Sequence, residues 1–145
     1  MTDRTGFRFG LRVRYAEVDY QGIVYFAHYA TYFDVAIHEF FRSLPYDYTA
    51  IRRTTGTDFN IVRSVVEYRR PLRFDEPFEV EVTLGRIGRT SLTFTPAIWV
   101  AGEAESRAGG EVVWVHAEQA TMRAVPLPSE LLELLGRPLD ATQEV

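Results

Sequence analysis

The sequence contains no cysteine. Its absence excludes a disulfide framework, a thiolate nucleophile and the zinc or iron–sulfur sites that cysteine would ligate. Any catalysis must therefore use a carboxylate, an imidazole, a hydroxyl or an amine. Histidine is scarce as well, and His28, His38 and His116 are too scattered to form a metal site. We expect no bound metal.

An excess of positive charge is also missing. The chain carries 16 Lys and Arg residues against 20 Asp and Glu residues, a net charge of -4. No overall positive field therefore attracts nucleic acid or an anionic membrane surface. No segment approaches the roughly 20 apolar residues that cross a bilayer, and no apolar run follows the N-terminal arginines. We expect a cytoplasmic protein that binds no nucleic acid and inserts into no membrane.

Aromatic residues, by contrast, are abundant. Hydrophobic residues make up 46% of the chain and aromatic residues 14%, which excludes disorder. A chain of 145 residues is the size of one ordinary domain, and it can bury roughly two thirds of its unfolded surface. We therefore expect one domain over residues 1–145, with a core spanning about residues 7–135. The aromatic content also indicates that a partner subunit or a ligand covers part of the surface.

Hydrophobic periodicity divides the chain into one long helix and five strands. Residues 7–15 alternate apolar and polar side chains, which is typical of a strand with one buried face. From Tyr29 to Leu44 the apolar residues follow the i, i+3, i+4, i+7 spacing of a helix, which ends before Pro45. Four further strands are predicted at residues 59–68, 78–84, 91–100 and 111–124.

The connecting segments complete the predicted architecture. Residues 52–58 are predicted to form a polar turn and residues 102–110 a hairpin tip, and Pro96 marks an edge or a bulge in the fourth strand. A short final helix is predicted at residues 129–135. A strand, a long apolar helix and four strands joined by hairpins together predict an α+β hotdog fold. In it, a five-stranded antiparallel sheet wraps the central helix.

The segment between the first strand and the helix has the most distinctive pattern, EVDYQGIVYFAHY at residues 17–29. It resembles the signature of the 4-hydroxybenzoyl-CoA thioesterase family, which includes acyl-CoA thioesterases associated with the bacterial Tol–Pal system. That signature is an acidic residue, any residue, Asp, two residues, Gly, Ile or Val, Val, an aromatic residue, and Tyr four positions later. The matching residues are Asp19, Gly22, Ile23, Val24, Tyr25 and Tyr29. Residues 66–76 and 86–91 continue the resemblance, which covers about residues 7–135.

The resemblance implies an enzyme that hydrolyses a short-chain or aromatic acyl-CoA thioester. It places the pocket between the long helices of two subunits, so it implies a homodimer or a homotetramer, and it requires no cofactor beyond the coenzyme A of the substrate. Two alternatives stay open. One is a non-catalytic acyl-CoA-binding hotdog module, which could discard the Asp19 carboxylate. The other is a thioesterase for acyl carrier protein, although a chain of net charge -4 is not an obvious partner for an acidic carrier.

Asp19 is the candidate catalytic carboxylate. It precedes the helix, where the first backbone N–H groups are unpaired and point outward, so a thioester carbonyl bound there would be polarised. Asp19 would then attack the carbonyl carbon or activate water, and the resemblance leaves both roles open. It places the oxyanion donor at the backbone N–H of Phe26. Gly22 would allow a sharp turn close to the ligand, whereas the structural alternative for Asp19 is a turn or cap residue.

Four further side chains are candidates around this segment. His28 occupies a position where the family usually has Asn, and it could donate to the carbonyl, relay a proton or simply cap the helix. Tyr25 and Tyr29 would line the substrate pocket with bulky rings, which favours short or aromatic acyl groups. Asp34 resembles a substrate-side acidic residue of the family, and a solvated helix face is its alternative interpretation.

Charged residues near the motif suggest two more features. Arg86 and Arg89 could form a basic lip for the phosphates of coenzyme A, together with arginines at residues 69, 70 and 73. Ordinary surface arginines are the alternative. Glu17 lies two residues before Asp19, so on an extended chain the two carboxyls would share a face and raise each other's pKa. A solvated Glu17 is the other interpretation.

Overall fold

The computed structural model of the protein describes residues 6–136. Among these residues the helices are α1 (His28–Arg42), α2 (Ile51–Thr55) and α3 (Ser129–Leu134), and a 3-10 turn (Tyr15–Glu17) precedes α1. The strands form one antiparallel sheet: β1 (Phe7–Arg12), β2 (Thr57–Tyr68), β3 (Pro77–Val82), β4 (Leu84–Ile87), β5 (Ser91–Phe94), β6 (Ala97–Trp99), β7 (Ala108–Glu118) and β8 (Arg123–Ala124).

The five predicted strands correspond to eight in the structure. Two long strands are each broken once, and the strand predicted at residues 111–124 ends at Glu118 and is followed by a turn and β8. Only Thr83 separates β3 from β4, and these strands pair with β6 and β5 as one long hairpin. The facing break lies at Thr95 and Pro96, where the Thr95 N–H still donates to the Thr83 carbonyl at 2.8 Å. The interruption predicted at Pro96 is therefore present. Counting each broken strand once, the order across the sheet is β2, β7, β5–β6, β3–β4, β1, with β8 added beside the end of β7.

Helix α1 is the centre of the core, as its periodicity predicts. The residues of α1 with no solvent exposure are Phe33, Ala36, Ile37 and Phe41. The Phe41 ring stacks on Trp114 of β7, with ring centroids 5.1 Å apart and an interplanar angle of 15°. Full burial of such a side chain contributes about 1.5–3 kcal/mol, so this face holds α1 against the sheet. The sheet wrapped on a central helix is the predicted hotdog architecture.

Three further predicted segments have different boundaries in the structure. Residues 52–58 are not a polar turn, because Ile51–Thr55 forms α2 and β2 already begins at Thr57. A helix of one turn that buries only Ile51 is too short to show a periodicity. The first strand is also shorter than predicted and ends at Arg12, because the chain enters the 3-10 turn soon afterwards.

The predicted hairpin tip at residues 102–110 ends early, because β7 starts at Ala108. Gly102 lies in the turn with a φ of +83°, but Gly109 and Gly110 are strand residues. A Cβ on Gly110 would lie 1.9 Å from the Val65 carbonyl oxygen and 3.0 Å from the Phe33 ring. Glycine is therefore required here for close packing between β7, β2 and α1. From the sequence alone, such a glycine cannot be distinguished from one that forms a turn.

The outer edge of β2 pairs with no strand among residues 6–136. A register shift between Ile61 and Arg63 leaves Val62 outside the regular pairing with β7. Ile61, Val62 and Tyr68 are all exposed along this strand. The sheet thus ends in a long, partly apolar edge. In the part of the chain that the structure describes, no helix is both long and apolar enough to span a bilayer.

Candidate active site

The residues between β1 and α1 form a compact loop around Asp19. The Asp19 N–H donates to the Ile23 carbonyl at 2.8 Å, and the Gly22 N–H donates to the Asp19 carbonyl at 2.9 Å. Gly22 has a φ of +79°, in the left-handed region that favours glycine. The sharp turn predicted at Gly22 is therefore present, and it brings the chain back within five residues.

Further hydrogen bonds attach this loop to its surroundings. The Val24 N–H donates to the Leu72 carbonyl at 2.9 Å, and the Leu72 N–H donates to the Tyr29 hydroxyl at 3.1 Å. The Tyr68 hydroxyl at the end of β2 donates to the Phe26 carbonyl at 3.0 Å. The loop is thus fixed both to α1 and to the segment that follows β2.

Two amides at the start of α1 are free to bind a ligand. The His28 N–H donates to the Tyr25 carbonyl at 2.9 Å, but the Phe26 and Ala27 amides donate to no group within residues 6–136. Ala27 is the N-cap residue of α1 and has no side chain that could cap the helix. Unpaired amides at a helix N-terminus carry a partial positive charge. They can therefore polarise a carbonyl oxygen, which is the function that the resemblance implies for Phe26.

Asp19 and Phe26 border a cavity of about 500 Å³. One carboxylate oxygen of Asp19, Oδ1, accepts the Gln21 N–H at 2.8 Å. The second oxygen has no hydrogen-bond partner in the described part of the chain. Asp19 therefore stabilises its own turn with one oxygen and keeps the other available. The remaining walls of the cavity include Tyr25, Tyr29, Tyr68, Arg69, Arg70 and Pro71.

The structure brings five of the predicted site residues together: Asp19, Gly22, Tyr25, Phe26 and Tyr29. Tyr29 is buried, and its hydroxyl oxygen accepts the Leu72 N–H, so it belongs to the wall of the cavity and also holds the segment that follows β2. His28 lies beside the cavity and not in its wall, with its ring centroid 5.9 Å from that of Tyr25. His28 therefore does not line the Asp19 cavity within one protomer, and its catalytic role stays a prediction.

Asp34 lies in a second cavity of about 420 Å³, with His38, Asp58 and Trp114 in its wall. Asp34 Oδ1 is 3.4 Å from His38 Nδ1. This cavity is separate from the one at Asp19, so the predicted substrate contact of Asp34 does not occur within one protomer. Within residues 6–136, no group of three or more His, Cys, Asp or Glu side chains is placed to hold a metal ion.

Arg86 and Arg89 do not line the Asp19 cavity of their own protomer. Arg86 pairs with Thr93 in the β4–β5 hairpin, and the Arg89 carbonyl accepts the Leu127 N–H at 3.0 Å. Of the arginines in the predicted basic lip, Arg69 and Arg70 line the cavity within the single protomer.

Glu17 does not share a face with Asp19, because residues 15–17 form a 3-10 turn and not an extended chain. Its side chain is buried at 6% exposure and lines a different cavity. Burial alone would raise the pKa of Glu17, but hydrogen bonds from Arg14 and Tyr32 outweigh it and lower the pKa below its usual value. The expectation of a raised pKa, like that of a solvated Glu17, is wrong.

Arg107 is a structural determinant of the site that sequence reasoning missed. Its side chain is only 6% exposed and forms two-pronged ion pairs with Glu103, at 2.7 Å for each contact, and with Glu76, at 3.2 and 3.1 Å. It also donates to the Pro71 carbonyl at 2.8 Å. Its own carbonyl accepts the amides of residues 69 and 70 at 2.9 and 3.0 Å. Arg107 therefore supports the wall of the cavity that carries Arg69 and Arg70. Glu103, four residues before Arg107, was the only nearby signal in the sequence.

Comparison with known proteins gives a consistent result. Residues 13–135 match the family described as Thioesterase-like superfamily. The Acyl-CoA thioester hydrolase YbgC of Escherichia coli O6:H1 is 30% identical over 128 residues, which cover 88% of this chain and 94% of that protein. A hypothetical protein of Aquifex aeolicus has a crystal structure with 31% identity and a TM-score of 0.80, over 89% of this chain and 98% of the other. A 1,4-dihydroxy-2-naphthoyl-CoA thioesterase from Synechocystis, at 18% identity, shares the fold with a TM-score of 0.82 over 89% and 94% of the two chains.

Proposed function

Since the chain belongs to the Thioesterase-like superfamily and is a thioester hydrolase, we propose that it hydrolyses short-chain or aromatic acyl-CoA thioesters in the Asp19 cavity. One observation carries this proposal. Asp19, a carboxylate with one free oxygen, and Phe26, whose amide is unpaired at the N-terminus of α1, border the same cavity. A thioester bound there would meet both an oxyanion site and a reactive carboxylate, which are the two requirements of acyl transfer to water.

In the proposed mechanism the thioester carbonyl oxygen accepts a hydrogen bond from the amide of Phe26. In one route Asp19 takes a proton from water, the resulting hydroxide attacks the carbonyl carbon, and the carbon–sulfur bond breaks. The coenzyme A thiolate then takes up the proton. In the other route Asp19 itself attacks and displaces the thiolate, and water hydrolyses the resulting anhydride. Neither route uses a cofactor beyond the coenzyme A of the substrate.

The walls of the cavity support the proposed substrate class. The rings of Tyr25, Phe26 and Tyr29 surround the space next to Asp19, so they favour a short or aromatic acyl group. Arg69 and Arg70 would bind coenzyme A phosphates, for which the guanidinium group is suited by its charge and its forked geometry. A thioesterase for acyl carrier protein is the second candidate, and assays with both acyl carriers distinguish the two.

We also propose that the protein is a homodimer, with a homotetramer as the second assembly. The support is the unpaired edge of β2, where Ile61 and Val62 are 52% and 58% exposed. Such edges are normally covered. If two β2 edges pair antiparallel, the end of β2 at the Asp19 cavity lies near the beginning of the other β2. The cavity that contains Asp34 lies at that beginning. Asp34 would then contact the substrate held by the partner subunit.

The decisive experiment replaces Asp19 by Asn. This variant keeps the acceptor for the Gln21 N–H but removes the negative oxygen. We expect kcat to fall by at least about 100-fold with little change in KM, because general-base assistance alone contributes about 10²–10⁴-fold. Initial rates with acetyl-, benzoyl- and palmitoyl-CoA provide the measurement. A clear palmitoyl preference would contradict the proposed acyl group.

Asp47→Asn is the matched control. Asp47 also accepts the N–H of the residue two positions later, from Thr49 at 3.1 Å, but it lies far from the cavity in the chain between α1 and α2. If Asp19 is only a turn residue, the two Asn variants should behave alike. Retention of more than about a tenth of the wild-type kcat in Asp19→Asn, a barrier change below about 1.4 kcal/mol, would contradict the proposed role.

A further inference from the structure

Glu17 is a buried carboxylate that the proposed mechanism does not use. Both of its oxygens are fully engaged. Oε1 accepts the Tyr32 hydroxyl and the Arg14 N–H, each at 2.8 Å, while Oε2 accepts Arg14 Nε at 3.0 Å and Nη2 at 2.8 Å. A buried carboxylate without such partners would be strongly destabilising. The network therefore fixes Glu17 rigidly between the end of β1 and the middle of α1.

The backbone of Glu17 closes the loop that contains Asp19. Its carbonyl accepts the Tyr25 N–H at 2.9 Å, and Val18 pairs with Val24 immediately inside this contact. Residues 17 and 25 are thus the two ends of a closed loop with Asp19 inside it. The free amide of Phe26 follows directly after that closing contact.

Tyr32 connects Glu17, where the Asp19 loop closes, to α1, the helix whose N-terminus carries the free amides. It lies one helical turn after His28, the first residue of α1, and its side chain is 4% exposed. The bond from Tyr32 to Glu17 therefore links α1 to the base of the Asp19 loop. We propose that Glu17 is a positioning residue that holds the Asp19 carboxylate and the helix N-terminal amides at a fixed separation. This inference rests on the proposed thioesterase function.

A positioning role predicts a specific kinetic result. Removing the Tyr32 hydroxyl keeps every reacting group but loosens the link between the loop and α1. A displacement of about 1 Å can lower the rate of an oriented reaction by about 100-fold, so a partial loosening should lower kcat by about 5- to 20-fold. KM should stay within about 2-fold, because Arg69 and Arg70 lie on a different segment, supported by Arg107.

The experiment compares Tyr32→Phe, Glu17→Gln and the double variant with the wild type. Tyr32→Phe keeps the ring contact with Phe78, at a centroid distance of 4.8 Å, so the core remains packed. Tyr46→Phe is the matched control, since it removes a hydroxyl from a half-buried tyrosine remote from the Asp19 cavity. Rates are measured with benzoyl-CoA, and thermal unfolding of each variant shows that the assayed protein is folded.

The inference predicts a lower kcat with an unchanged KM in both single variants and no additional loss in the double variant, while Tyr46→Phe retains wild-type kcat. It is overturned if both single variants keep kcat within about 2-fold, or if only KM rises. If Glu17→Gln does not fold, Tyr32→Phe alone decides. Failure of the proposed function would look different, because Asp19→Asn would then retain turnover. Failure of the Glu17 inference alone leaves Asp19→Asn inactive and Tyr32→Phe active.

Discussion

Replacing Arg107 by Met would remove a buried cation while keeping most of the volume of its side chain. Five hydrogen bonds depend on this guanidinium, four to Glu76 and Glu103 and one to the Pro71 carbonyl. Removing one member of a buried ion pair typically destabilises a protein by about 3–5 kcal/mol, because the remaining charge is left uncompensated.

The lower end of that range applies here. Arg107 is 6% exposed, but the side chains of Glu76 and Glu103 are 27% and 21% exposed, so water can partly solvate them after the substitution. We expect a loss of about 3 kcal/mol in the free energy of unfolding at pH 7. That is a large part of the roughly 5–15 kcal/mol by which natural domains are stable. KM should also rise, since Arg107 supports the segment that carries Arg69 and Arg70.

The loss should depend on pH. Burial would raise the pKa of Glu76, but the hydrogen bonds and charge of Arg107 outweigh it, and the pKa falls below the ordinary value of 4.5. The Arg107 hydrogen bonds likewise lower the pKa of Glu103. A carboxyl with a lowered folded-state pKa stabilises the fold above its unfolded pKa, and the contribution is lost as the pH falls through the folded value. The wild type and the variant should therefore converge below pH 4.5.

Urea unfolding followed by circular dichroism, at pH 7 and at about pH 3, measures both effects. Arg63→Met is the matched control, because Arg63 forms an exposed pair with Glu111 at 2.8 Å. Exposed pairs contribute only about 0–1 kcal/mol. If Arg107→Met were destabilised by less than about 1 kcal/mol at pH 7, like this control, the assignment of Arg107 as a structural centre would be refuted.

Two further substitutions test the Asp19 loop and the β2 edge. Gly22→Ala should lower the free energy of unfolding by about 1 kcal/mol and reduce kcat, because a φ of +79° strains any other residue, even though no atom lies within 4 Å of the new Cβ. Urea unfolding and initial rates measure the two effects. An unchanged free energy of unfolding and an unchanged kcat would contradict the importance of this turn. Val62→Lys should convert the proposed dimer to monomers in sedimentation velocity at micromolar concentration, whereas Met122→Lys, also at an exposed apolar residue, should not. A monomeric wild type would contradict the proposed assembly.

Local sequence patterns were sufficient to predict the elements that have one buried side and one exposed side. Strand β1 alternates in exposure as its sequence does, and the apolar stripe of α1 is the buried one. In such a pattern each residue is apolar or polar according to its own burial, so the pattern predicts the element without knowledge of the topology. Of the two breaks in the long strands, the one at Pro96 was predicted, because proline cannot donate a hydrogen bond within the sheet, and the one at Thr83 was not.

Contacts between distant parts of the chain could not be read in this way. Arg107 binds Glu76, 31 residues away, and Pro71, 36 residues away, and the nearby Glu103 alone does not distinguish a buried cation from a surface ion pair. Glu17 was misjudged because a 3-10 turn of three residues changes the side to which a side chain points. Asp19 was identified only through the family resemblance, because many aspartates form the same kind of turn without any catalytic role.

The uncapped start of α1 has a consequence for thermostability engineering. Serine or aspartate at an N-cap position usually stabilises a helix by about 1 kcal/mol relative to alanine, so Ala27 is an obvious target for such a design. An aspartate at this position would accept the N–H of Tyr29 or Ala30, the second and third residues of the helix, and would place a negative charge beside the proposed oxyanion site at Phe26. A screen that selects only for heat resistance would therefore favour variants that turn over poorly. With alanine at the N-cap, the chain keeps a less stable helix end and no side-chain charge beside that site.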